Sequence, residues 1–256
     1  MYEFDDNLLK LDNFEEGIKK ISSIKEIMTT EIKYYESFES DEEREQFCKD
    51  RKIDSLPLKD KLEIWEYNKK SFRLINKDEI IDNADCFIYN DNLIDFFSKD
   101  EKVKFIINNK KIIGLMHFVD YNRKQAYIYP YFKFIEFESL LREYIKIIGK
   151  EKDYLNNIYK KSGKKVEKIE DTGFIELLKF CRENQLIDSE YLIINNNDFQ
   201  GKINFLRNNL MHIKYNTDLI KDDRIEDFNK NNKILNHIIK INKKLNKEIN
   251  KIINSF

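Results

Sequence analysis

The chain is poor in the residues that punctuate a fold, with two prolines and six glycines in 256 residues. Sandwiches and barrels built from many tight turns need more of both, so a helix-rich protein is the expectation. Cysteine is also scarce. Cys48, Cys86 and Cys181 are odd in number, far apart and without a C-x-x-C pair, which argues against a disulfide framework and a cysteine zinc site. Reduced, mostly buried thiols are expected instead. No apolar run approaches the roughly 20 residues of a membrane span. Glu3, Asp5 and Asp6 stand where a secretory signal would be basic, so the reading is a cytoplasmic protein with no membrane partner. P-loop, G-x-S-x-G and G-x-G-x-x-G patterns are all missing, which leaves those enzyme classes without support. The three histidines do not cluster, and no metal site is expected.

What is present is core material and charge. Hydrophobic residues make up 41%, aromatics 13% and charged residues 36%, enough for packed cores under a solvated surface. The length suits two ordinary domains or one large one. The net charge of −1 hides a gradient: residues 1–50 hold 7 basic and 15 acidic side chains, and residues 201–256 hold 12 and 6. The basic end is the better surface for a polyanion, although a lysine-rich helix can simply be solvated.

Along residues 11–34, Leu11, Phe14, Ile18, Ile21, Met28 and Ile32 recur at helical spacing. Ser40 to Glu43 reads as a capping box for a further helix through Phe47. Pro57 marks a break, with Leu62, Trp65 and Phe72 available to a core beyond it. Residues 1–75 are therefore expected to be mainly helical. The pattern then changes. A helix over Asp91–Ser98 precedes two apolar runs, Val103–Ile107 and Ile112–Phe118, separated by Asn108-Asn109-Lys110-Lys111. Two strands and a tight turn explain this, since Asn tolerates the positive φ that hairpins require. From Phe134 the helical spacing returns through Phe137, Leu141, Tyr144 and Ile148, with breaks near 149–152, 162–173 and 184–198. The last helix is long, its stripe formed by Ile234, Ile238, Ile241, Leu245 and Ile252.

The stretch from Val103 to Asp120 resembles the second hairpin and following turn of a CBS motif, over residues 78–122. Gly114 and Asp120 match the family pattern, whereas His117 replaces its Thr or Ser. The resemblance implies that Asp120 bonds a ribose hydroxyl of an adenine nucleotide, the one cofactor it suggests. Read from the residues alone, Asp120 equally caps the helix that follows.

Arg207-Asn208-Asn209-Leu210-Met211-His212 matches the R-polar-x-x-x-H pattern of the HEPN superfamily of helical nucleases. A CBS-like module running through Tyr127–Lys133 into such a domain also resembles known bacterial chains. The fold class read here is α+β overall. It comprises N-terminal helices over 1–75, an α/β CBS-like module over 76–130 and an all-α HEPN-like bundle over 131–256. On a helical wheel Ile203, Leu206, Leu210 and Ile213 point in one direction, the buried face. Arg207 falls on the flank of that face, whereas Asn208, His212 and Phe205 fall on the side away from it. An outward phenylalanine beside a polar pair suggests a second contact surface. The resemblance implies a homodimer with a composite site.

The chemistry needs few parts, because RNA can cleave itself through attack of its 2′-hydroxyl on phosphorus. His212 suits the proton transfers, and the planar fork of Arg207 suits two phosphate oxygens. Asn208 would orient one or the other. The expected activity is thus a metal-independent endoribonuclease producing 2′,3′-cyclic phosphate ends, a toxin or phage-defence effector gated by the CBS-like module, with an antitoxin or regulatory protein as partner. Some HEPN toxins are modified on a tyrosine two residues after the histidine. Here Lys214 holds that place and Tyr215 follows. His237 reads as a surface or flank residue. Glu136, Glu138 and Glu143 lie on the helix that supplies an acidic residue in some HEPN members, and the sequence does not choose among them. Two other readings stay open: a non-catalytic nucleotide-sensing or protein-interaction module that dimerises through its helices, and RNA binding without cleavage through the lysine-rich end.

Overall fold

The structure, a computed structural model, describes residues 14–99, 103–163, 165–186, 203, 205–210, 220 and 224–255. It is mixed α+β, with two three-stranded sheets early in the chain and a helix-rich C-terminal region. The chain divides into two compact units, one ending at Ile128 and one starting at Tyr129, while the start of the last helix at Ile225 groups with the first.

The first unit opens with helical residues 14–21 and the single turn α1 (Ile24–Ile27). The expected stripe forms only in part. Leu11 lies outside the described residues, Phe14 and Ile21 are about half exposed, and the buried positions are Ile18, Ile24 and Ile27. The reason is a break at Ser22-Ser23, both buried, where the Ser22 hydroxyl donates to the Gln125 carbonyl. Beyond Met28 the chain is extended, and Thr29 exchanges both backbone hydrogen bonds with Leu115. Helix α2 (Asp41–Arg51) starts where the capping pattern places it. The Ser40 hydroxyl accepts from the Glu43 N–H at 3.2 Å, and the Glu43 carboxylate reaches one residue further back, to the Glu39 N–H at 3.0 Å.

Residues 54–75 correct the expectation of a mainly helical segment. They form an antiparallel meander of β1 (Ser55–Pro57), β2 (Glu63–Glu66) and β3 (Ser71–Leu74). Pro57 is accommodated because β1 is an edge strand, where a missing N–H costs no ladder bond. Trp65 packs with Leu56 and Cys48, whereas Ile64, on the opposite face of β2, joins Ile75, Phe105 and Ile112. Residues 1–75 are therefore not a separate segment, since their sheet shares a core with residues beyond 76. Phe72, expected in a core, is 51% exposed.

The second sheet matches its expectation closely. After α3 (Asp91–Ser98), strand β5 (Lys104–Asn108) turns into β6 (Lys111–Met116), and β4 (Ile80–Ile81) lies parallel to β5. Asn109 and Lys110 have φ of 49° and 63°, the paired left-handed residues of a two-residue hairpin turn. Gly114 does not end its strand. It lies inside β6 beneath Met28, whose Sδ would be 2.5 Å from an added Cβ.

Helix α4 (Lys124–Ile147) begins in the first unit and continues into the second. The expected connection through Tyr127–Lys133 is thus continuous helix. Pro130 interrupts its ladder, because proline has no N–H to give the Ala126 carbonyl. The Tyr89 hydroxyl supplies that bond at 2.7 Å. In the second unit α5 (Glu151–Ser162), α6 (Phe174–Glu183), helical residues 205–210 and α7 (Ile225–Ile253) follow. No strand occurs there among the described residues. Phe137, Leu141, Tyr154, Leu177, Ile238 and Ile241 are buried in it. Burial pushes the Cys181 thiol up to about 12 and raises that of Cys48, and all three cysteines are free. No described helix is long and apolar enough to cross a membrane.

Candidate functional site

The apolar residues before the expected histidine and Phe205 sit as the wheel predicts, whereas Asn208, expected on the side away from the buried face, is half-buried. Ile203, Leu206 and Leu210 are buried, Phe205 is 53% exposed, and Arg207, Asn208 and Asn209 are half-buried. A helix that buries one apolar stripe must hold the residues between stripe and solvent at intermediate depth, which is where Arg207 lies; Asn208 is half-buried beside it and accepts from its guanidinium. His212, Lys214 and Tyr215 fall outside the described residues, as does Ile213.

Arg207 does not project freely from this helix. Its Nη2 donates to Glu138 Oε2 at 3.1 Å, and its Nη1 donates to Asn208 Oδ1 at 3.3 Å. The guanidinium carbon lies 5.6 Å from the Phe174 ring centroid, within range of a cation–π contact. Glu138 uses its other oxygen for Arg142, whose Nη2 donates at 2.6 Å. Arg142 in turn donates to the backbone carbonyls of Ile169 and Thr172. One carboxylate therefore holds two guanidiniums, and through them ties α4 to the helix of residues 205–210 and to the turn before α6. Of the three glutamates that the sequence could not tell apart, Glu138 is the one that reaches Arg207. Glu136 is engaged by Lys133 and Asn242 instead. Burial raises the pKa of Glu143, which lines a shallow cleft with Ser139, Arg142, Lys146 and Glu170.

A guanidinium has five N–H groups. In Arg207 one goes to Glu138 and one to Asn208, and the Nε–H is buried without an acceptor among the described residues. Among the described residues, one N–H on each terminal nitrogen is left without an acceptor. His237, read as a surface or flank residue, is half-buried on α7, a flank position. Among the described residues no group of three or more His, Cys, Asp or Glu is placed to hold a metal ion.

Asp120, the nucleotide-site expectation, belongs to the first unit. Its Oδ2 accepts from the His117 N–H at 2.7 Å and its Oδ1 pairs with Arg123 at 3.0 Å. The His117 Nδ1 accepts from the Val119 N–H, completing a reciprocal cap on the short 3₁₀ turn Phe118–Asn122. Burial raises the Asp120 pKa above its usual value, while the His117 N–H and the Arg123 charge pull it back. Both carboxylate oxygens thus have protein partners. No family model, curated protein or solved structure matches this chain.

Proposed function

We propose that the protein is a metal-independent endoribonuclease of the HEPN type, cytoplasmic and acting as a homodimer, in which Arg207, Asn208 and His212 carry the reaction. The observation that supports this reading is the fixed pose of Arg207. Glu138 anchors one side of its guanidinium, so the remaining N–H groups are presented without loss of side-chain freedom on binding. Those donors would meet the non-bridging oxygens of a scissile phosphate and stabilise the charge that develops as phosphorus becomes five-coordinate. His212 would take the proton of the 2′-hydroxyl as its oxygen attacks phosphorus. The 5′-oxygen of the next nucleotide leaves with a proton, and a 2′,3′-cyclic phosphate and a 5′-hydroxyl result. A second His212 from the partner copy would give the acid that a single imidazole cannot be at the same moment as the base. A toxin or phage-defence effector is the setting that fits such an activity, with the first unit as its control element.

The same cluster favours one other reading. Arg207, Glu138 and Arg142 tie three elements together, as a purely structural cross-link would, and the chain would then be a non-catalytic interaction or sensing protein. The two separate in one experiment. Wild type, Arg207→Ala and His212→Ala are incubated with end-labelled total tRNA in EDTA, and product termini are mapped. Discrete cuts ending in cyclic phosphate, made by wild type and lost in both variants while His212→Ala melts like wild type, are the expected result. Cutting that survives in His212→Ala would reject the assigned site.

A further inference from the structure

Helix α5 buries Tyr154 completely and half-buries Leu155 and Ile158, so its other side faces solvent. Along that side run Lys152, Asn156, Tyr159 and Lys160, within about 100° of one another. All four are exposed, Tyr159 to 56%. None of their side chains makes a hydrogen bond or ion pair among the described residues. An outward aromatic ring therefore stands between two ammonium groups whose stems leave the helix about 12 Å apart along its axis.

The neighbouring charges do not cancel these lysines. Lys150 is taken by Asp153 and Lys161 by Glu183. Of the other described residues from 150 to 168, Lys152, Lys160, Lys165 and Lys168 are without an ion pair, against Glu151 and Glu167. Glu151 lies in the first turn, where the positive end of the helix offsets it. Glu167 lies beyond Gly163, whose φ of 68° ends the helix. Helix stability does not account for the pattern either. Lys160 suits the last turn, but Lys152 sits in the first, where the dipole disfavours a cation.

We propose that this side of α5 docks single-stranded RNA, one base stacking on the Tyr159 ring and the flanking phosphates meeting Lys152 and Lys160. Aromatic faces combined with cations along the backbone hold single strands, because every unpaired base offers a π-face. A paired base inside an A-form helix offers none. The exposed amide of Asn156 lies beside the ring on the helix surface and can meet the edge of the stacked base. This names unpaired RNA as the substrate class of the cleavage reading, and rests on that reading to that extent.

The test titrates the full chain, in EDTA, against a short unstructured oligonucleotide carrying a fluorophore and 2′-O-methyl groups. That strand lacks the hydroxyl that attacks phosphorus, so it reports binding whether or not the chain cleaves. Tyr159→Ala should weaken binding about tenfold with the salt dependence unchanged, and Tyr159→Phe should bind like wild type, since stacking uses the ring and not the hydroxyl. Lys152→Gln/Lys160→Gln should reduce the slope of log affinity against log salt by about 1.4. All three variants alter exposed positions and should melt like wild type. A duplex of the same sequence should bind without regard to Tyr159. No binding of the single strand by wild type, or equal binding by wild type and Tyr159→Ala, would overturn the proposal. So would a Tyr159 requirement shown only by phosphatidylserine vesicles, which would make the strip a membrane contact. Tyr159-dependent binding by a chain that cuts no RNA would uphold this surface and reject the nuclease site alone.

Discussion

At the scale of single residues, the carboxylate of Glu138 has the widest consequences. It is about 15% exposed and bridges Arg207 and Arg142, which are 22% and 17% exposed. Replacing it by glutamine leaves one acceptor for two guanidiniums and removes the charge that offsets them. Hydrogen bonds to charged groups contribute roughly 1.5–3 kcal/mol, so Glu138→Gln should lower unfolding stability by about 2 kcal/mol in urea titration. No change in the urea midpoint would mean that the triad is not formed in solution. Asp120 allows a second check, with pH as the variable. Because burial raises its folded pKa, the folded chain takes up a proton before the unfolded chain does, and this group's contribution is greatest in acid and lost as pH rises through the folded pKa. The wild type should therefore gain stability relative to Asp120→Asn as pH falls from 6 towards 4, and parallel stability curves would contradict the shift. The flank position of Arg207 was legible because the buried stripe of its helix fixes it, whereas the half-burial of Asn208 was not. Nor was Glu138, since it is 69 residues from Arg207 and three glutamates on one helix look alike until packing directs Glu136 to Lys133 and Asn242.

At the scale of elements, legibility followed length and turn chemistry. The hairpin of β5 and β6 was readable because each strand has five or six residues and its turn contains an asparagine. The meander was not. Its strands have three or four residues, too few to show alternation, and the turn into β3 uses Lys70 at φ 53° where a glycine would have signalled it. Helix α4 hid its start for a related reason, since Pro130 reads as a terminator. Its cost is offset by Tyr89, whose hydroxyl takes over the free Ala126 carbonyl, and that compensation can be measured. Tyr89→Phe should cost about 1 kcal/mol in the native background, and clearly less in a Pro130→Ala background, where the backbone N–H returns to the carbonyl. Additive losses across that cycle would show that the hydroxyl is held for another purpose.

At the scale of the whole molecule, the chain divides into two compact units between Ile128 and Tyr129, inside helix α4. The charge gradient along the sequence acquires a location in the second unit. In α7 the buried stripe of Ile234, Ile238, Ile241, Leu245 and Ile249 faces the core. Lys233, Lys240, Lys247 and Lys251 fall within about 40° of one another on the opposite side. All four are exposed and make no ion pair among the described residues. Such a stripe is either a solvated face or a track for a phosphate backbone, and salt separates the two. Each phosphate neutralised on a single strand contributes a slope of about −0.7 to the dependence of log affinity on log salt. If RNA follows this track, Lys233→Glu/Lys240→Glu/Lys247→Glu should reduce that slope by about 2 and weaken binding to all sequences alike, without lowering the melting temperature. His212→Ala should leave the slope untouched while cleavage is lost, because the histidine moves protons and the lysines hold the strand. A triple variant with the wild-type slope would make the stripe a solvated surface. A His212→Ala protein that both binds and cuts as before would place any RNA chemistry elsewhere in the chain.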